Sequence, residues 1–263
     1  MKGGSEGRGR WIEVAPGRFP GWITSFAARH GDSGLSVNDV GDTVTPGDTA
    51  TFGDVATSGD IVTFVAPDGA VAECHPPFPG AGNTAGARDA VAIAEAMAAD
   101  ALADRVVGVL LVRLGGYAAG VFTGSPPRLV DSKTGSRLVH GRSAAGGWSQ
   151  HRFARRRELQ STQALHAAAD AAAQVWGRWG ARPLATRPPR PENKAGEIDA
   201  VVLGGDKRAM ARLWDDPRLA SYLELAADRF LTVPDPKHAV LADSPRLFLA
   251  IRIWLTEGPG ADR

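Results

Sequence analysis

The stretch VVGVLLVRLGGYAAGVFTG, residues 106–124, decides the fold of the larger part of this chain. Val106–Leu114 is an almost unbroken apolar run, which predicts a strand buried on both faces of a sheet. Gly115 and Gly116 predict a two-residue hairpin turn, because glycine adopts the backbone angles that such turns require. Tyr117–Thr123 then returns as the antiparallel partner. This hairpin places a β-sheet at the centre of the second half of the sequence.

The segments after this hairpin add strands and helices to the same sheet. Leu129–Ser132 and Ser136–His140 predict two more short strands, and Ile198–Leu203 predicts a third, more apolar one. A helix is predicted from Gln150 to about Trp179, because apolar residues recur at helical spacing in its later turns. The chain is therefore assigned to the α/β (α+β) class, with a β-sheet accompanied by helices.

A second, smaller α+β unit precedes this sheet. Residues 11–30, WIEVAPGRFPGWITSFAARH, predict a strand, a Pro/Gly turn and an amphipathic helix. The Pro- and Gly-rich residues 76–86 predict a linker, and Ala87–Leu102 predicts an alanine-rich helix that leads into the second domain. We accordingly divide the chain into an acidic N-terminal domain, residues 1–86, and a second domain, residues 87–263.

A six-residue repeat, Gly-Asp-x-x-Thr-x, occurs four times in residues 41–64 of the first domain. One interpretation is a β-helix, whose coils repeat small aliphatic residues at this period. Four hexads amount to little more than one coil, which buries too little apolar surface for a core. We therefore predict an extended loop or hairpin whose last copy enters a strand at Ile61–Ala66. A turn at Asp68-Gly69 and a strand at Ala70–His75 follow.

The composition is that of a globular protein, since 43% of the residues are hydrophobic and can form a core. No apolar run reaches the roughly 18 residues of a membrane span, and the N-terminus lacks the apolar segment of a signal peptide. We expect a cytoplasmic protein without a membrane partner. Cys74 is the only cysteine and is expected to be buried and unreactive, and no Cys/His spacing suits zinc. No cofactor or metal is expected.

Charge is distributed unevenly, although the net charge of the chain is only +1. Residues 1–104 have a net charge of −8, and residues 105–263 have a net charge of +9. Residues 133–157 contain seven basic side chains and no acidic one, which is typical of a surface that binds nucleic acid. The alternative is an ordinary solvated basic face. The candidate RNA-binding residues are Lys133, Arg137, Arg142, Arg152, Arg155 and Arg156.

The loop before the long helix has the residue types of a site that approaches another molecule closely. Gly146 and Gly147 allow backbone conformations closed to other residues, and Ser149 is suited to cap the helix. Gln150 supplies a neutral carboxamide that can position water without titrating near pH 7. The unpaired backbone N–H groups at the helix start favour an anion or a developing oxyanion. These features fit hydrolysis of an ester carried by a nucleic acid.

The sequence Gly147-Trp148-Ser149-Gln150, followed by Arg152-Phe153-Ala154-Arg155, resembles the catalytic segment of a known family. It is similar to the middle domain of the eukaryotic and archaeal class-one peptide-chain release factors. It is more similar to the actinobacterial VLRF family, the Vms-like release factors, whose loop has a Gly-x-x-Gln form. The resemblance covers about residues 105–242. In this chain the glutamine lies nearer to the Arg-Phe-Ala-Arg segment than in the ordinary release factors, so its register differs.

The resemblance implies the fold of the release-factor middle domain, a mixed β-sheet flanked by helices, and a specific reaction. Gln150, in a catalytic loop with Gly146, Gly147 and Ser149, would enter the peptidyl-transferase centre of the large ribosomal subunit. There it would promote the attack of water on the ester of peptidyl-tRNA. We recognise no codon-reading domain, so the family implies a peptidyl-tRNA hydrolase of ribosome rescue or quality control. We expect a monomer.

Two other functions stay open at this point. One is a tRNA 3′-end endonuclease of the same fold, and the other is a non-catalytic ribosome-binding module that resembles surveillance factors. A serine nucleophile at Ser149, with His140 or His151 as its base, is disfavoured because no acidic residue lies nearby in sequence to complete the triad.

Overall fold

The computed structural model describes residues 9–31, 36–39, 61–78, 89–113, 116–136, 149–181 and 196–258, with only the backbone for residues 36–39 and 149–161. The chain forms two compact units, one of residues 1–103 with 249–263 and one of residues 104–248. Within the described ranges, no helix has the length and apolarity needed to cross a bilayer, and no group of side chains is arranged as a metal site. Most of the hexad repeat and of the predicted linker lies outside these ranges.

The first unit contains an antiparallel sheet in the order β1-β10-β4-β3-β2. Two helices accompany this sheet and form one apolar core with it. The elements are β1 (Arg10–Val14), α1 (Phe19–His30), β2 (Ser36–Asp39), β3 (Val62–Val65), β4 (Val71–His75), α2 (Ala90–Ala101) and β10 (Ile251–Thr256), with a short 3-10 turn at Pro16–Arg18 before α1.

Alternation of apolar and polar residues explains the core of the first unit. In β10, Ile251, Ile253 and Leu255 are buried while the residues between them are partly exposed, as the period of two in a strand requires. Phe19, Ile23 and Phe26 recur at helical spacing on α1 and are fully buried. Cys74 of β4 is also fully buried, and burial raises the pKa of its thiol well above the usual value, as expected for an unreactive cysteine.

The boundary of this unit differs from the predicted division at residues 86 and 87. The α2 helix, which we expected to lead into the second domain, packs with α1 in the first core. The C-terminal strand β10, assigned by sequence to the second domain, lies between β1 and β4. Within β10, only every second residue faces the core. Pairing with strands so distant in sequence leaves no local signal.

The second unit is a mixed sheet flanked by helices, in the strand order β7-β6-β5-β8-β9. The β5–β6 and β6–β7 pairs are antiparallel, whereas the β5–β8 and β8–β9 pairs are parallel. This confirms the predicted fold class. The elements are β5 (Val107–Arg113), β6 (Gly116–Thr123), β7 (Arg128–Ser136), α3 (Ser149–Trp176), β8 (Ala200–Gly205), α4 (Lys207–Ala211), α5 (Ala220–Leu223), β9 (Ala226–Leu231), α6 (His238–Ala242) and α7 (Pro245–Phe248).

The central hairpin is confirmed, and one strand prediction needs correction. Every residue of β5 except Arg113 is buried, as expected for a strand covered on both faces. The segments predicted as two strands, Leu129–Ser132 and Ser136–His140, belong in their described part to the single strand β7. Gly135 lies within this strand. The ring of Tyr117, on β6, occupies the space where a side chain at residue 135 would lie, so the strand accommodates a glycine there. Residues 137–140 lie outside the described ranges.

The later half of α3 attaches this helix to the sheet. Leu165, Ala168, Ala172 and Val175 are buried there, and Trp176 is completely enclosed. The indole Nε1 of Trp176 donates a hydrogen bond to the backbone oxygen of Gly120 at 3.2 Å. Gly108 permits this approach, because a Cβ atom at that residue would lie 3.0 Å from the indole nitrogen.

We predict that Trp176→Ala lowers the free energy of unfolding of the second unit by about 3–5 kcal/mol, the usual cost of removing a buried tryptophan. Trp176→Phe keeps most of the ring but loses the hydrogen bond to Gly120, so its cost is expected to be smaller, about 1–3 kcal/mol. Urea denaturation followed by circular dichroism measures both. Val130→Ala, at a residue of β7 that is 50% exposed, is the control and is expected to stay within about 0.5 kcal/mol. Equal costs for all three variants would contradict the prediction.

Candidate functional site at the start of the long helix

The predicted catalytic loop ends at the N-terminus of α3. Ser149 and Gln150 are the first two residues of this 28-residue helix, which thus begins one residue earlier than predicted. Gly146 and Gly147 lie outside the described residues, as do the side chains of Ser149 and Gln150. The predicted position of Gln150 at a helix start agrees with the backbone, while its catalytic role stays a prediction.

The first turn of α3 favours a negatively charged ligand. Backbone N–H groups in the first turn of a helix have no partner within the helix, and the helix dipole adds partial positive charge there. The first turn contains no acidic residue that would compensate this charge. Residues 149–162 have a net charge of +3, whereas residues 163–176 have a net charge of −1. The positive charge of the helix is therefore concentrated in the half that begins at Gln150.

The same half of α3 extends beyond the sheet. Lys133 of β7 donates a hydrogen bond to Gln174, and Arg178 pairs with Asp131 at 2.8 Å, so the strand and the helix run antiparallel here. From Lys133, β7 continues for three residues, about 10 Å. From Gln174, α3 continues for 24 residues back to Gln150, about 36 Å at 1.5 Å per residue. The helix start thus lies roughly 25 Å past Ser136, the last described residue of the strand.

The candidate RNA-binding residues do not form one compact group. Arg152, Arg155 and Arg156 share one face of α3, since residues three and four apart are neighbours on a helix. Lys133 lies beside Gln174, about 36 Å along the axis from Gln150, so it cannot act on the same atoms as the loop. Arg137 and Arg142 lie outside the described residues. The sequence run 133–157 therefore overstates how closely these cations are grouped.

An ion-pair cluster holds the middle of α3 against the segment before α5. Arg218 contacts both Asp170 on α3 and Asp216, with its Nη2 atom 2.7 Å from the Asp216 carboxylate. The hydrogen bonds from the Arg218 side chain are the main reason why the pKa of Asp216 is lowered, and the backbone N–H of Arg218 adds to this. Both side chains are therefore charged at neutral pH and orient each other.

A contact near the start of the described side chains was missed by the sequence analysis. Arg212, at the C-terminal end of α4, donates from Nη2 to the hydroxyl of Thr162 on α3 at 3.0 Å. Thr162 lies 12 residues, about 18 Å along the axis, from Gln150. The spacing of Arg208 and Arg212 is visible in the sequence, but their position beside α3 depends on the fold. Asp206 caps α4 by accepting hydrogen bonds from the backbone N–H groups of Arg208 and Ala209.

Comparison with known proteins identifies a family and a distant structural neighbour. The family model described as Actinobacteria/chloroflexi VLRF1 release factor matches residues 105–254. No curated protein matches the chain. Among solved structures, the one titled "Vms1 mitochondrial localization core" aligns with 76% of this chain and 76% of its own length, at 10% sequence identity and a TM-score of 0.30. No residue assignment rests on a likeness this distant.

We predict that protonation of Asp216 in acid weakens the attachment of α3 to the rest of the second unit. Its lowered pKa means that the ionised carboxylate favours the folded state, so its contribution is complete above the unfolded pKa of about 3.9 and is lost as the pH falls through the folded value. The melting temperature of the wild type should therefore fall more steeply between about pH 5 and pH 3 than the melting temperature of Asp216→Asn. Asp215→Asn removes a neighbouring exposed carboxylate and should keep the wild-type slope. Identical slopes for Asp216→Asn and the wild type would contradict the prediction.

Proposed function

The chain belongs to the Actinobacteria/chloroflexi VLRF1 release factor family, and we propose that it is a peptidyl-tRNA hydrolase of ribosome rescue or quality control. The proposed substrate is ribosome-bound peptidyl-tRNA, and the proposed bond is the ester between the nascent peptide and the terminal ribose. We infer that the protein acts as a cytoplasmic monomer at the peptidyl-transferase centre of the large subunit.

The position of Gln150 supports this proposal most strongly. It is the second residue of a helix whose first turn carries no acidic side chain and whose first half extends past the sheet. A group at the end of a long rigid helix can enter a narrow site on a partner while the rest of the protein stays outside. Since a neutral amide does not ionise near pH 7, Gln150 can orient water there without acting as a base.

The proposed reaction is a hydrolysis that needs no cofactor from this chain. Water adds to the carbonyl carbon of the ester, and the bond from this carbon to the ribose oxygen breaks. The hydroxyl group of the water remains on the peptide as its carboxylic acid, and the other proton passes to the ribose oxygen. Gln150 orients the water, and the N–H groups at the start of α3 stabilise negative charge on the carbonyl oxygen. Gly146 and Gly147 allow close approach, and Ser149, the first residue of the helix, belongs to the same loop end.

The arginines on the following turns are proposed to bind the RNA that carries the ester. Arg152, Arg155 and Arg156 lie on one face of α3 within about 9 Å of Gln150 along the axis. Guanidinium groups bind phosphate through two parallel hydrogen bonds and remain charged at any physiological pH. Their place next to the loop suits the phosphates nearest to the terminal ribose.

We expect Gln150→Ala and Gln150→Glu to reduce peptide release about 10²- to 10³-fold, the usual cost of removing one group that positions water or stabilises the transition state. Release is measured on purified large subunits that carry labelled peptidyl-tRNA. Gln174→Ala is the matched control, because Gln174 lies on the same helix but about 36 Å along the axis from Gln150, where it contacts Lys133. Its release rate should equal that of the wild type.

The size of the products tests the reaction itself. Free peptide and full-length tRNA support ester hydrolysis, whereas peptide attached to a short RNA fragment would indicate an endonuclease instead. Binding to the subunits without turnover would indicate a non-catalytic module. Near-normal release by both Gln150 variants would exclude this glutamine from the mechanism.

We expect the triple variant Arg152→Ala/Arg155→Ala/Arg156→Ala to bind the large subunit or tRNA more weakly and with less dependence on salt. Each lost phosphate contact lowers the slope of log affinity against log salt by about 0.7–0.9, so the triple variant should lose about 2.1–2.7. Fluorescence anisotropy at several salt concentrations measures this slope. The control removes three other cations of the same unit, Arg128, Arg178 and Arg246, and should lose much less. Equal slopes for the two triple variants would contradict the assignment.

A further inference from the structure

The short helix α4 presents basic side chains beside the projecting half of α3. Lys207, Arg208 and Arg212 are all exposed. Arg208 and Arg212 are four residues apart and therefore lie on the same side of this helical segment. The hydrogen bond from Arg212 to Thr162, at 3.0 Å, fixes where this side meets α3.

The contact at Thr162 aligns α4 with the arginine face of α3. Residues 155 and 162 are seven apart, so they lie two turns apart on nearly the same side of the helix, about 10 Å from each other along the axis. Arg212 therefore meets α3 on the side where residue 155 lies. Arg208 precedes Arg212 by about one helical turn on α4, so the two basic side chains lie close to this side of α3.

Within the described side chains, no acid pairs with Arg208 or Arg212. Other arginines of the second unit have such partners: Arg178 pairs with Asp131, Arg218 with Asp170 and Asp216, and Arg246 with Asp243. Among the described side chains, Arg212 instead contacts a neutral hydroxyl, and Lys207 lies 5.9 Å from the ring centre of Phe230. Exposed guanidinium groups of this kind retain their capacity to bind phosphate.

We propose that Arg208 and Arg212 bind RNA backbone phosphates and continue the RNA-binding surface of α3 by one segment. This inference rests on the proposed function for its substrate, since it assumes RNA that reaches from Gln150 along α3. The phosphates concerned lie about 18 Å from the reacting ester, the axial distance from Gln150 to Thr162. They belong either to the tRNA or to ribosomal RNA of the large subunit, and both present the same ligand chemistry.

The test compares Arg208→Ala/Arg212→Ala with the wild type in binding to deacylated tRNA and, separately, to isolated large subunits. Loss of two phosphate contacts lowers the salt slope by about 1.4–1.8, which corresponds to about 25- to 60-fold weaker binding at 0.1 M salt. Weakening with tRNA assigns the phosphates to tRNA, and weakening with subunits alone assigns them to ribosomal RNA. Wild-type affinity and slope with both probes overturn the inference.

Two further variants serve as controls. One removes two other cations of the same unit, and the other keeps the positive charge on α4. Arg178→Ala/Arg246→Ala removes the same number of cations from the same unit, and an equal loss of affinity in this control overturns the inference. Arg208→Lys/Arg212→Lys keeps the charge and should keep the salt slope. If the lysine variant loses the slope as the alanine variant does, charge on α4 is not the cause and the inference fails.

The binding measurements on the α4 variants can be interpreted independently of the catalytic role of Gln150. Gln150→Ala should keep the affinity and salt slope of the wild type while losing peptide release. Arg208→Ala/Arg212→Ala should need more protein for half-maximal release but reach the wild-type release rate at saturation. Normal release by Gln150→Ala would defeat the proposed hydrolysis and leave the phosphate contacts of α4 to be judged by the binding data.

Discussion

The attachment of one half of α3 to the sheet is the constraint on which the rest of the second unit depends. A 28-residue helix is about 42 Å long, whereas the nine residues of β7 span about 30 Å. Burial of residues between Leu165 and Trp176 holds the later turns. Because a helix is rigid over this length, fixing its later half also directs its first half past the sheet. The proposed catalytic residue thus depends on packing that lies more than 20 Å away from it.

Charge follows the same division of the helix. The half that packs on the sheet has small and apolar residues with a net charge of −1, and the half that extends has a net charge of +3. Like charges that lie close together on a helix repel one another and destabilise it. A polyanionic partner would neutralise these charges and remove the repulsion, which persists in the isolated protein. The first turn adds the positive end of the helix dipole without an acidic residue to compensate it. Anion binding at this end is therefore favoured by both backbone and side chains.

The first unit shows how a sheet can be completed by a distant part of the chain. The strand β10 pairs with β1 and β4, so the chain leaves this unit after α2 and returns to it after the second unit is complete. The first unit is therefore built from two chain segments that are separated in sequence, whereas the second unit is the continuous segment 104–248. This arrangement explains why a division into consecutive domains placed α2 and the C-terminal strand with the wrong core.

The sequence by itself determined the central hairpin, the long helix and the position of Gln150 at the helix start, because apolar period, glycine turns and charge are local properties of the chain. It also carried the family, through the Gly-x-x-Gln loop and the Arg-Phe-Ala-Arg segment. Only the tertiary structure decided that β7 is one strand, that Lys133 lies beside Gln174 and that Arg212 meets Thr162. These facts depend on which surfaces come together when the apolar faces are buried. Neighbours in space that are about 40 to 50 residues apart in sequence leave no periodic pattern from which they could be read.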